Sequence, residues 1–394
     1  MAEPWLAIIG IGEDGMAGLS AACHAELASA EVIFGGPRHL ALVNAGDRGR
    51  AWPVPFSVEP VFAERSRRRV VVLASGDPFW FGAGAILAAQ LEAGEWRSYP
   101  SVSTFSLMAN RLGWRLEQSC CFGLHAAPFE RLLPVLHTGA HILCLLRDGP
   151  AVAALAQWLV ARKFGSSTLH IMEALGGPRE RIRAIRANEC ALKDIAAPVA
   201  VAIAVAGGHG LSRASGLVDD SFVHDGQITK RPIRALTISA LAPRPGELLW
   251  DLGAGSGSIS VEWCLTGGRA IAVEARLDRV VNIHTNTHAF GLDHRLRIVE
   301  GEAPVALTEL PDPDAVFIGG GASAELLDYL WRRLPIGTRI VANGVTLETE
   351  TLLAIWQEQK GGELLRIELA HAAPLGSMRG WRPARPIMQW SVIR

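Results

Sequence analysis

The chain has 394 residues, and its 38 lysines and arginines nearly balance its 39 aspartates and glutamates, which leaves a formal net charge of −1 at pH 7. This length predicts two domains or slightly more, and the balanced charge excludes an electrostatic reason for a nucleic-acid partner. Six cysteines without a Cys-x-x-Cys pair, no signal-peptide pattern and no apolar run of ~18 residues predict a cytoplasmic protein without a membrane partner.

The first half of the chain alternates apolar strands with helical segments, as α/β proteins do. The first strand, WLAIIGIG, ends in Gly10 and Gly12, and a helix and the strand VIFGG follow it. A strand then runs into the turn Gly76-Asp77-Pro78. Three further strands are predicted in HILCLL, STLHIMEAL and APVAVAIAVA.

Residues 207–226 are rich in glycine, serine and aspartate and have no sustained period, which predicts a linker. After it, strands and helices alternate again, and the last two predicted strands are LLRIELAHA and RPIMQWSVIR. We therefore predict a first domain over residues 1–206 and a second domain over residues 227–394. The second domain has about seven strands, as in a doubly wound, Rossmann-like sheet.

A glycine-rich turn follows the first strand of the second domain, in LLWDLGAGSGSISVEWC. Glycines at this place let backbone amides approach a ligand at the end of the strand. A dinucleotide-binding turn has the spacing G-x-G-x-x-G/A, whereas Gly253, Gly255 and Gly257 have the spacing G-x-G-x-G. Asp251, two residues before the first glycine, suits a ligand with a positively charged amino group better than a pyrophosphate.

This arrangement resembles the first motif of class I S-adenosylmethionine (SAM) methyltransferases. Glu274 ends the next strand, where these enzymes place an acid that binds the ribose hydroxyls. NAD-binding enzymes also have an acid at this position, so Glu274 alone does not distinguish SAM from NAD. Glu302 and Ala303 follow the third strand, where the family lines the adenine. The resemblance implies a SAM site formed by Thr229, Asp251, Gly253, Ala254, Gly255, Ser256, Gly257, Glu274, Glu302 and Ala303.

Further motifs narrow the resemblance of the second half. The lead-in segment, QITKR at residues 227–231, together with Arg234, is similar to that of the CbiT family, the C15 methyltransferases of cobalamin synthesis. The stretches IGGG at 318–321 and ANGVTLETE at 342–350 resemble the ends of that family's fourth and fifth strands. The likeness covers nearly all of residues 225–394.

The first half resembles the CbiE family of class III tetrapyrrole methylases, over about residues 5–190. The motifs that carry this likeness are IIGIGEDGMAGLS, IFGGPRHL, LASGDPFWFG, YPSVSTFSLMANRLGW, LHAAPFERL and IMEALGGPRERIR. Glu13 stands where the family commonly has proline. The resemblance implies a fold of two α/β subdomains and a second SAM site between them, near Gly10, Gly12, Gly76, Asp77, Ser103 and Thr104.

The fused pair resembles the decarboxylating precorrin-6Y C5,15-methyltransferases of the CobL type. This resemblance implies a precorrin substrate, methylation at C5 by the first domain, and methylation at C15 with loss of the C12 acetate carboxyl by the second. It also implies a homo-oligomer formed through the second domain. Because basic side chains, and arginines in a bidentate way, bind carboxylates, the predicted substrate-binding residues include Arg179, Lys230, Arg231 and Arg379, with Arg181, Arg183, Arg382 and Arg385 as further candidates. His125 is added because it matches a histidine of the CbiE family.

Three alternatives remain open at this point: an NAD-dependent dehydrogenase, a class I methyltransferase of RNA, protein or another small molecule than a precorrin, with a regulatory first half, and a tetrapyrrole carrier without activity. No catalytic residue is assigned. The pairs His137/His141 and His284/His288 have a metal-binding spacing, but no third ligand lies nearby in the sequence, so no metal site is predicted.

Overall fold

The computed structural model describes residues 4–65 and 67–394, which divide into two units. Unit 1 holds the described residues up to 129 together with 135–210, and unit 2 holds residues 130–134 and 211–394. Leu217 and Phe222 lie within the predicted linker and are buried in the core of unit 2. This part of the predicted linker therefore packs as folded chain.

The described residues of unit 1 form two five-stranded sheets. The first has the order β3-β2-β4-β1-β5, and all of its pairs are parallel. The second has the order β6-β7-β10-β8-β9 and is mixed, with only the pair β6–β7 parallel. The strands are β1 (Leu6–Ile11), β2 (Val32–Gly35), β3 (Gly49–Ala51), β4 (Val70–Ser75), β5 (Trp96–Tyr99), β6 (Ser119–Gly123), β7 (His141–Leu146), β8 (Thr168–Glu173), β9 (Arg181–Arg186) and β10 (Val199–Ala204).

The apolar run of β1 is explained by burial on both faces of the parallel sheet. Ala7, Ile9 and Ile11 pack into one core cluster, whereas Leu6 and Ile8 pack into another. The pairing of β1 with β4 ends at Ile11 opposite Ser75. Because parallel strands end at the same edge, the loops that follow β1 and β4 lie side by side.

The helices of unit 1 begin at capping residues in several cases. The Ser20 hydroxyl accepts a hydrogen bond from Cys23 N–H at 3.3 Å, and Asp148 accepts one from Ala151 N–H at 2.9 Å. The helices are α1 (Ala21–Ser29), α2 (Pro37–Leu42), α3 (Glu59–Phe62), α4 (Gly84–Ala88), α5 (Thr104–Leu112) and α6 (Gly149–Ala161).

Residues 211–394, all of which are described, form one seven-stranded sheet and a separate hairpin. The sheet has the order β13-β12-β11-β14-β15-β19-β16, with β19 antiparallel to both neighbours. The elements are α7 (Arg231–Leu241), β11 (Leu248–Leu252), α8 (Ser258–Leu265), β12 (Arg269–Glu274), α9 (Leu277–Ala289), β13 (Leu296–Glu300), β14 (Ala315–Ile318), α10 (Ala324–Arg333), β15 (Arg339–Gly344), α11 (Leu347–Lys360), β16 (Glu363–Ile367), β17 (Ala370–Leu375), β18 (Met378–Pro383) and β19 (Ile387–Ile393).

The α/β fold class is confirmed, including two sheets in the first unit and a seven-stranded sheet in the second. One predicted element differs: the run LLRIELAHA is not a single strand, because β16 ends at Ile367 and β17 begins at Ala370. β17 pairs with β18 instead of joining the main sheet. Among residues 4–65 and 67–394, no helix has the length and apolar character that crossing a membrane requires.

Candidate functional site

A cavity of about 690 Å³ opens in unit 1 at the edge where β1 and β4 end. It brings together residues that are far apart in the sequence. Those predicted residues of the first half that line it are Gly12, Gly76, Asp77, Ser103, Thr104 and His125. Gly10 and Arg179 lie outside the described lining.

Gly10 and Gly76 are required where three backbone segments converge beside the cavity. A methyl group on Gly10 would lie 1.8 Å from the carbonyl oxygen of Gly76 and 2.7 Å from Ser101 N. Gly76 has φ +57°, and a methyl group there would lie 2.8 Å from Ser103 Cα. Glycine is therefore needed for this close approach of the backbone.

The side chains of Asp77 and Ser103 shape the backbone around the cavity. Asp77 Oδ1 accepts a hydrogen bond from Phe79 N–H at 2.8 Å, and Ser103 Oγ accepts one from Ser106 N–H at 3.1 Å at the start of α5. Both oxygens hold turns in place. What these loops offer a ligand is therefore largely backbone N–H and C=O groups.

The cavity also contains residues that the sequence analysis did not assign to it. Arg38 and His39 in α2 line it together with Glu13. Arg38 Nη1 donates to Glu13 Oε1, and Arg38 Nη2 donates to His39 Nε2 and to Ser75 Oγ, both at 2.8 Å. Burial and, next, the positive charge of Arg38 lower the pKa of His39 to about 4, so the imidazole is neutral at pH 7. The motif GGPRHL begins at the last residue of β2, at the carboxyl ends of the parallel strands. Ligands of α/β proteins bind at this end, so the position of the motif could have identified Arg38 and His39 as site residues.

One wall of the cavity is apolar and open to solvent. Trp52, Phe56, Phe81 and Val102 line it, and the last three are at least half exposed. Phe81 has φ +58°, a conformation that is rare for a bulky residue. The cavity thus combines backbone hydrogen-bonding groups, the arginines Arg38 and Arg147, and an apolar wall, which suits a large anionic ligand with an apolar face.

The glycine-rich turn of unit 2 connects β11 to α8 and contains Gly253, Gly255 and Gly257, all with φ between +60° and +72°. A methyl group on Gly253 would lie 2.7 Å from Gly320 O, and one on Gly257 would lie 2.9 Å from Ile283 Cγ2. At Gly255 the nearest atom would be 3.9 Å away. Two of the glycines are therefore needed for packing, whereas the space beside Gly255 is open to a ligand.

Two buried carboxylates lie next to this turn. Asp251, which is 0% exposed, accepts hydrogen bonds at Oδ2 from Ser260, and Oδ1 accepts none from the described residues. Burial raises the pKa of Asp251 to about 6. Glu274 accepts from Gly255 N–H at 2.8 Å and from Arg276 N–H at 3.0 Å. Because each carboxylate oxygen has two lone pairs, Glu274 retains capacity for hydroxyl donors, and the unmatched Oδ1 of Asp251 fits an amino-group donor.

The lead-in segment is held by Arg234, which is fully buried. Its guanidinium donates to Glu262 Oε1 at 2.6 Å, to the carbonyl of Thr229, and to the carbonyl of Leu217. Arg234 is thus a structural residue. Gln227 in the same segment places its carbonyl oxygen nearest to the open side of Gly255, so the segment and the glycine-rich turn border the same space.

The basic residues at the end of this segment, Lys230 and Arg231, are exposed. Lys230 Nζ lies 3.9 Å from Asp219 Oδ2. Arg231 is the first residue of α7, and its backbone N–H donates to Asp219 Oδ1 at 3.0 Å. Their charged ends are therefore available to a ligand.

The remaining predicted residues of this site are mostly held through their backbones. Ala254 N–H donates to Val273 O at 3.1 Å, and the carbonyl of Ser256 accepts from Asn286 Nδ2 at 2.8 Å. Glu302 is exposed and Ala303 half-buried. Both follow β13, which pairs with β12 up to Glu274, so they lie at the same edge of the sheet as the turn.

The other arginine candidates lie in two places. Arg181 and Arg183 both donate to Glu173 and to Asp194, so they hold β8, β9 and the following loop together and are not free to grip a ligand. Arg379 lies on the β17–β18 hairpin and is exposed. In the described part of the chain, no group of three or more His, Cys, Asp or Glu side chains is arranged to hold a metal ion.

Comparisons with known proteins assign both halves of the chain. Residues 6–191 match the family model of Tetrapyrrole (Corrin/Porphyrin) Methylases, and residues 220–394 match the model of the precorrin methyltransferase domain. A solved structure, the C-terminal domain of precorrin-6Y C5,15-methyltransferase from Rhodobacter capsulatus, is 60% identical, with a TM-score of 0.46, and covers 47% of this chain and 100% of that chain.

Two relatives match over nearly the full length, and both are named precorrin-6Y C(5,15)-methyltransferase [decarboxylating]. The relative from a Sinorhizobium species is 46% identical over 399 residues, which covers 99% of this chain and 96% of the relative. The relative from Mycobacterium tuberculosis (strain CDC 1551 / Oshkosh) is 38% identical over 395 residues, which covers 98% of this chain and 99% of the relative. The chain therefore belongs to the family of decarboxylating precorrin-6Y C(5,15)-methyltransferases.

Proposed function

We propose that the chain methylates a precorrin at C5 and C15, with SAM as the methyl donor, and removes the carboxyl of the C12 acetate as CO₂ during synthesis of the cobalamin corrin ring. The observation that carries this proposal is the 46% identity, over 99% of the chain, to a relative named for the same reaction. The relatives lend no support to the alternative of another methyl acceptor with a regulatory first half.

We further propose two SAM sites, one in each unit. Unit 1, corresponding to the predicted domain 1–206, methylates C5, and the predicted domain 227–394 methylates C15 and promotes decarboxylation. The support is that each unit has its own glycine-rich strand end, after β1 and β4 in unit 1 and after β11 in unit 2. The parallel sheet of unit 1 and the seven-stranded sheet of unit 2 have different strand orders, so the two proposed sites are built on different sheet topologies.

In unit 1 the cofactor site is proposed to include Gly10, Gly12, Gly76, Asp77, Ser103 and Thr104. Bound SAM supplies a methyl group on a positively charged sulfur, and the electron-rich meso carbon of the ring is the acceptor. The backbone groups around the cavity hold the cofactor, and the apolar wall at Trp52 and Phe81 accommodates a ring face and excludes water. Alignment and exclusion of water account for most of the catalysis expected here. His125 and Arg179 are proposed substrate contacts.

In unit 2, Asp251 is proposed to receive the amino group of SAM and Glu274 its ribose hydroxyls, with Glu302 and Ala303 beside the adenine. Thr229 and the turn from Gly253 to Gly257, including Ala254 and Ser256, complete the cofactor site. Lys230, Arg231 and Arg379 are proposed to bind carboxylates of the precorrin. Their exposed guanidinium and ammonium groups support this role, because a charged hydrogen-bond partner strengthens carboxylate binding.

We propose that the chain forms a homo-oligomer through the β17–β18 hairpin, in the cytoplasm. The hairpin is a two-stranded sheet of its own, and Leu375, Met378 and Trp381 are at least 70% exposed on it. An isolated hairpin is marginally stable in water, and exposed apolar side chains on a sheet edge favour association. The six free cysteines support a reducing compartment.

The test uses the intact chain, precorrin-6Y and SAM labelled with ¹³C in its methyl group, under anaerobic conditions. The product is expected to gain two labelled methyl groups, at C5 and C15, and to lose CO₂. Asp251→Asn is expected to remove the label at C15 while leaving that at C5, and calorimetry should find two bound SAM molecules falling to one. Label at neither carbon with the unaltered chain would refute the function, and loss of both labels in the variant would refute the two-site assignment.

A further inference from the structure

An ion pair inside the unit 1 cavity has no part in the chemistry described above. Glu13 and Arg38 both line the cavity, and Arg38 Nη1 donates to Glu13 Oε1. The side chain of Glu13 is only 8% exposed. A carboxylate therefore already pairs with the guanidinium of Arg38, one of two arginines in the described lining of the cavity.

Glu13 is shared with a second arginine outside the cavity lining. Arg179 Nη2 donates to Glu13 Oε2 at 3.4 Å, beyond the usual range for such a bond, and the Arg179 side chain is 66% exposed. Two guanidinium groups thus share one carboxylate, Arg38 at Oε1 and Arg179 at Oε2. Burial and, next, the positive charge of Arg179 lower the pKa of Arg38, because both disfavour the charged guanidinium.

Arg38 is also anchored independently of Glu13. Its Nη2 donates to Ser75 Oγ and to His39 Nε2, both at 2.8 Å. The neutral imidazole of His39 accepts this hydrogen bond without adding charge. Departure of the Glu13 carboxylate would therefore leave the Arg38 guanidinium in place, facing the cavity.

The backbone at Glu13 packs tightly against the loop that carries Arg179. A methyl group on Gly177 would lie 2.5 Å from Glu13 Cβ and 2.8 Å from its carbonyl oxygen. Gly177 lies in the same loop as Arg179, whose guanidinium already contacts the Glu13 carboxylate. A rotation about the Glu13 side-chain bonds can thus transfer the carboxylate from Arg38 to Arg179 without moving the loop.

We propose that Arg38 binds a carboxylate on the rim of the tetrapyrrole in the unit 1 site, and that Glu13 is a resident competitor that moves to Arg179 when this carboxylate arrives. The proposal rests on the proposed function, because it assumes a carboxylate-bearing substrate in this cavity. An arginine without an opposite charge in a cavity is unfavourable, and Glu13 prevents that state. A ligand without a carboxylate at this position cannot displace Glu13 and is rejected, which gives specificity at the expense of affinity.

The test is the substitution Glu13→Gln in the full chain, with the KM for precorrin measured separately for C5 and C15 methylation by ¹³C-methyl labelling. Removal of the competing charge is expected to lower the KM for C5 methylation roughly three- to tenfold. The KM for C15 methylation is the internal control and should not change. Glu64→Gln is the matched variant, because Glu64 also pairs with an arginine, at 3.6 Å, and lies outside the cavity lining.

The sign of the change separates this proposal from a purely structural role. If Glu13 only orients Arg38, its loss raises the KM for C5 methylation, and a raised or unchanged KM overturns the proposal. Arg38→Gln should raise the KM for C5 methylation about tenfold. The double variant Arg38→Gln/Glu13→Gln should have the same KM as Arg38→Gln alone, and a lower KM in the double variant contradicts the proposal. If Glu13→Gln does not fold, the second variant is Glu13→Asp. Its carboxylate keeps the charge but is one methylene group too short to pair with Arg38 as Glu13 does, so it is also expected to lower the KM for C5 methylation. Absence of C5 methylation by the unaltered chain would instead refute the proposed function.

Discussion

Ser260 donates both its backbone N–H, at 3.1 Å, and its hydroxyl, at 2.6 Å, to the same oxygen of Asp251, Oδ2. Oδ1 of the same carboxylate is buried and accepts no hydrogen bond from the described residues. This asymmetry leaves one acceptor of Asp251 unmatched below the glycine-rich turn. The ionised form of Asp251 is therefore disfavoured in the protein without ligand, and we expect a bound cationic donor to stabilise it.

The first prediction concerns pH and stability. Burial raises the pKa of Asp251 from 3.8 to about 6 in the folded chain. The protonated form of Asp251 therefore stabilises the folded state fully below about pH 4, and this contribution is lost as the pH rises through 6. Asp251→Asn should therefore raise the unfolding free energy without ligand by about 3 kcal/mol at pH 8, but by only about 1 kcal/mol at pH 4.5. Urea unfolding at both pH values measures this. Asp328→Asn, on the surface of the same unit, is the control, and an equal gain at both pH values would contradict the prediction.

The second prediction concerns the crossing of backbones at Gly10. Gly10→Ala places a methyl group 1.8 Å from the carbonyl oxygen of Gly76, which no side-chain rotation can relieve. We expect unit 1 to lose about 3 kcal/mol of stability and SAM binding in unit 1 to fall, as measured by thermal unfolding and calorimetry. Gly94→Ala is the matched control, because a methyl group there meets no atom within 4 Å. Equal effects of the two substitutions would show that the crossing does not require glycine.

The third prediction concerns the buried ion pair of Arg234 with Glu262. Arg234→Met leaves the Glu262 carboxylate buried with only the backbone donors Gly216 and Leu217. We expect a loss of about 3–5 kcal/mol in the unfolding of unit 2. Arg244→Met is the control: its exposed guanidinium pairs with Glu247 at 3.1 Å, and its loss should cost less than about 1 kcal/mol. Urea unfolding followed by tryptophan fluorescence distinguishes the two.

The fourth prediction concerns Arg231. Its side chain is exposed at the end of the lead-in segment. Arg231→Ala should therefore raise the KM for precorrin in C15 methylation about tenfold, which corresponds to the loss of one charged hydrogen bond, and should leave the affinity for SAM unchanged. Arg269→Ala is the control, because Arg269 is exposed at the start of β12, at the amino ends of the parallel strands and away from the glycine-rich turn. An unchanged KM would remove Arg231 from the substrate-binding residues.

The fifth prediction concerns assembly. Trp381→Glu places a charge in the exposed apolar surface of the β17–β18 hairpin and should convert the homo-oligomer into a smaller species, measured by light scattering after gel filtration. Ile336→Glu is the matched control, because Ile336 is 86% exposed in the same unit but lies outside the hairpin. Dissociation by both variants, or by neither, would argue against an interface at the hairpin.

Much of the fold could be predicted because its central strands are long and apolar. β1, β4 and β11 are buried almost throughout, and a strand buried on both faces reads as a continuous apolar run. The strands that were not predicted, β3, β5, β6, β9 and β18, contain no buried residue. β9, with the sequence RIRAIR, carries three arginines, and only its pairing with β8 and the ion pairs to Glu173 show why it is extended.

Residue identity and spacing along the chain determined the glycine-rich turns, the acid before the second of them and the family to which both halves belong, because these are local properties of contiguous motifs. Only the tertiary structure decided the state of each charge. It buried Arg234 against Glu262 while leaving Arg231 exposed, and it placed Glu13 between Arg38 and Arg179. These outcomes depend on which distant segments supply the opposite charge and exclude water, and neighbours in the sequence do not specify that.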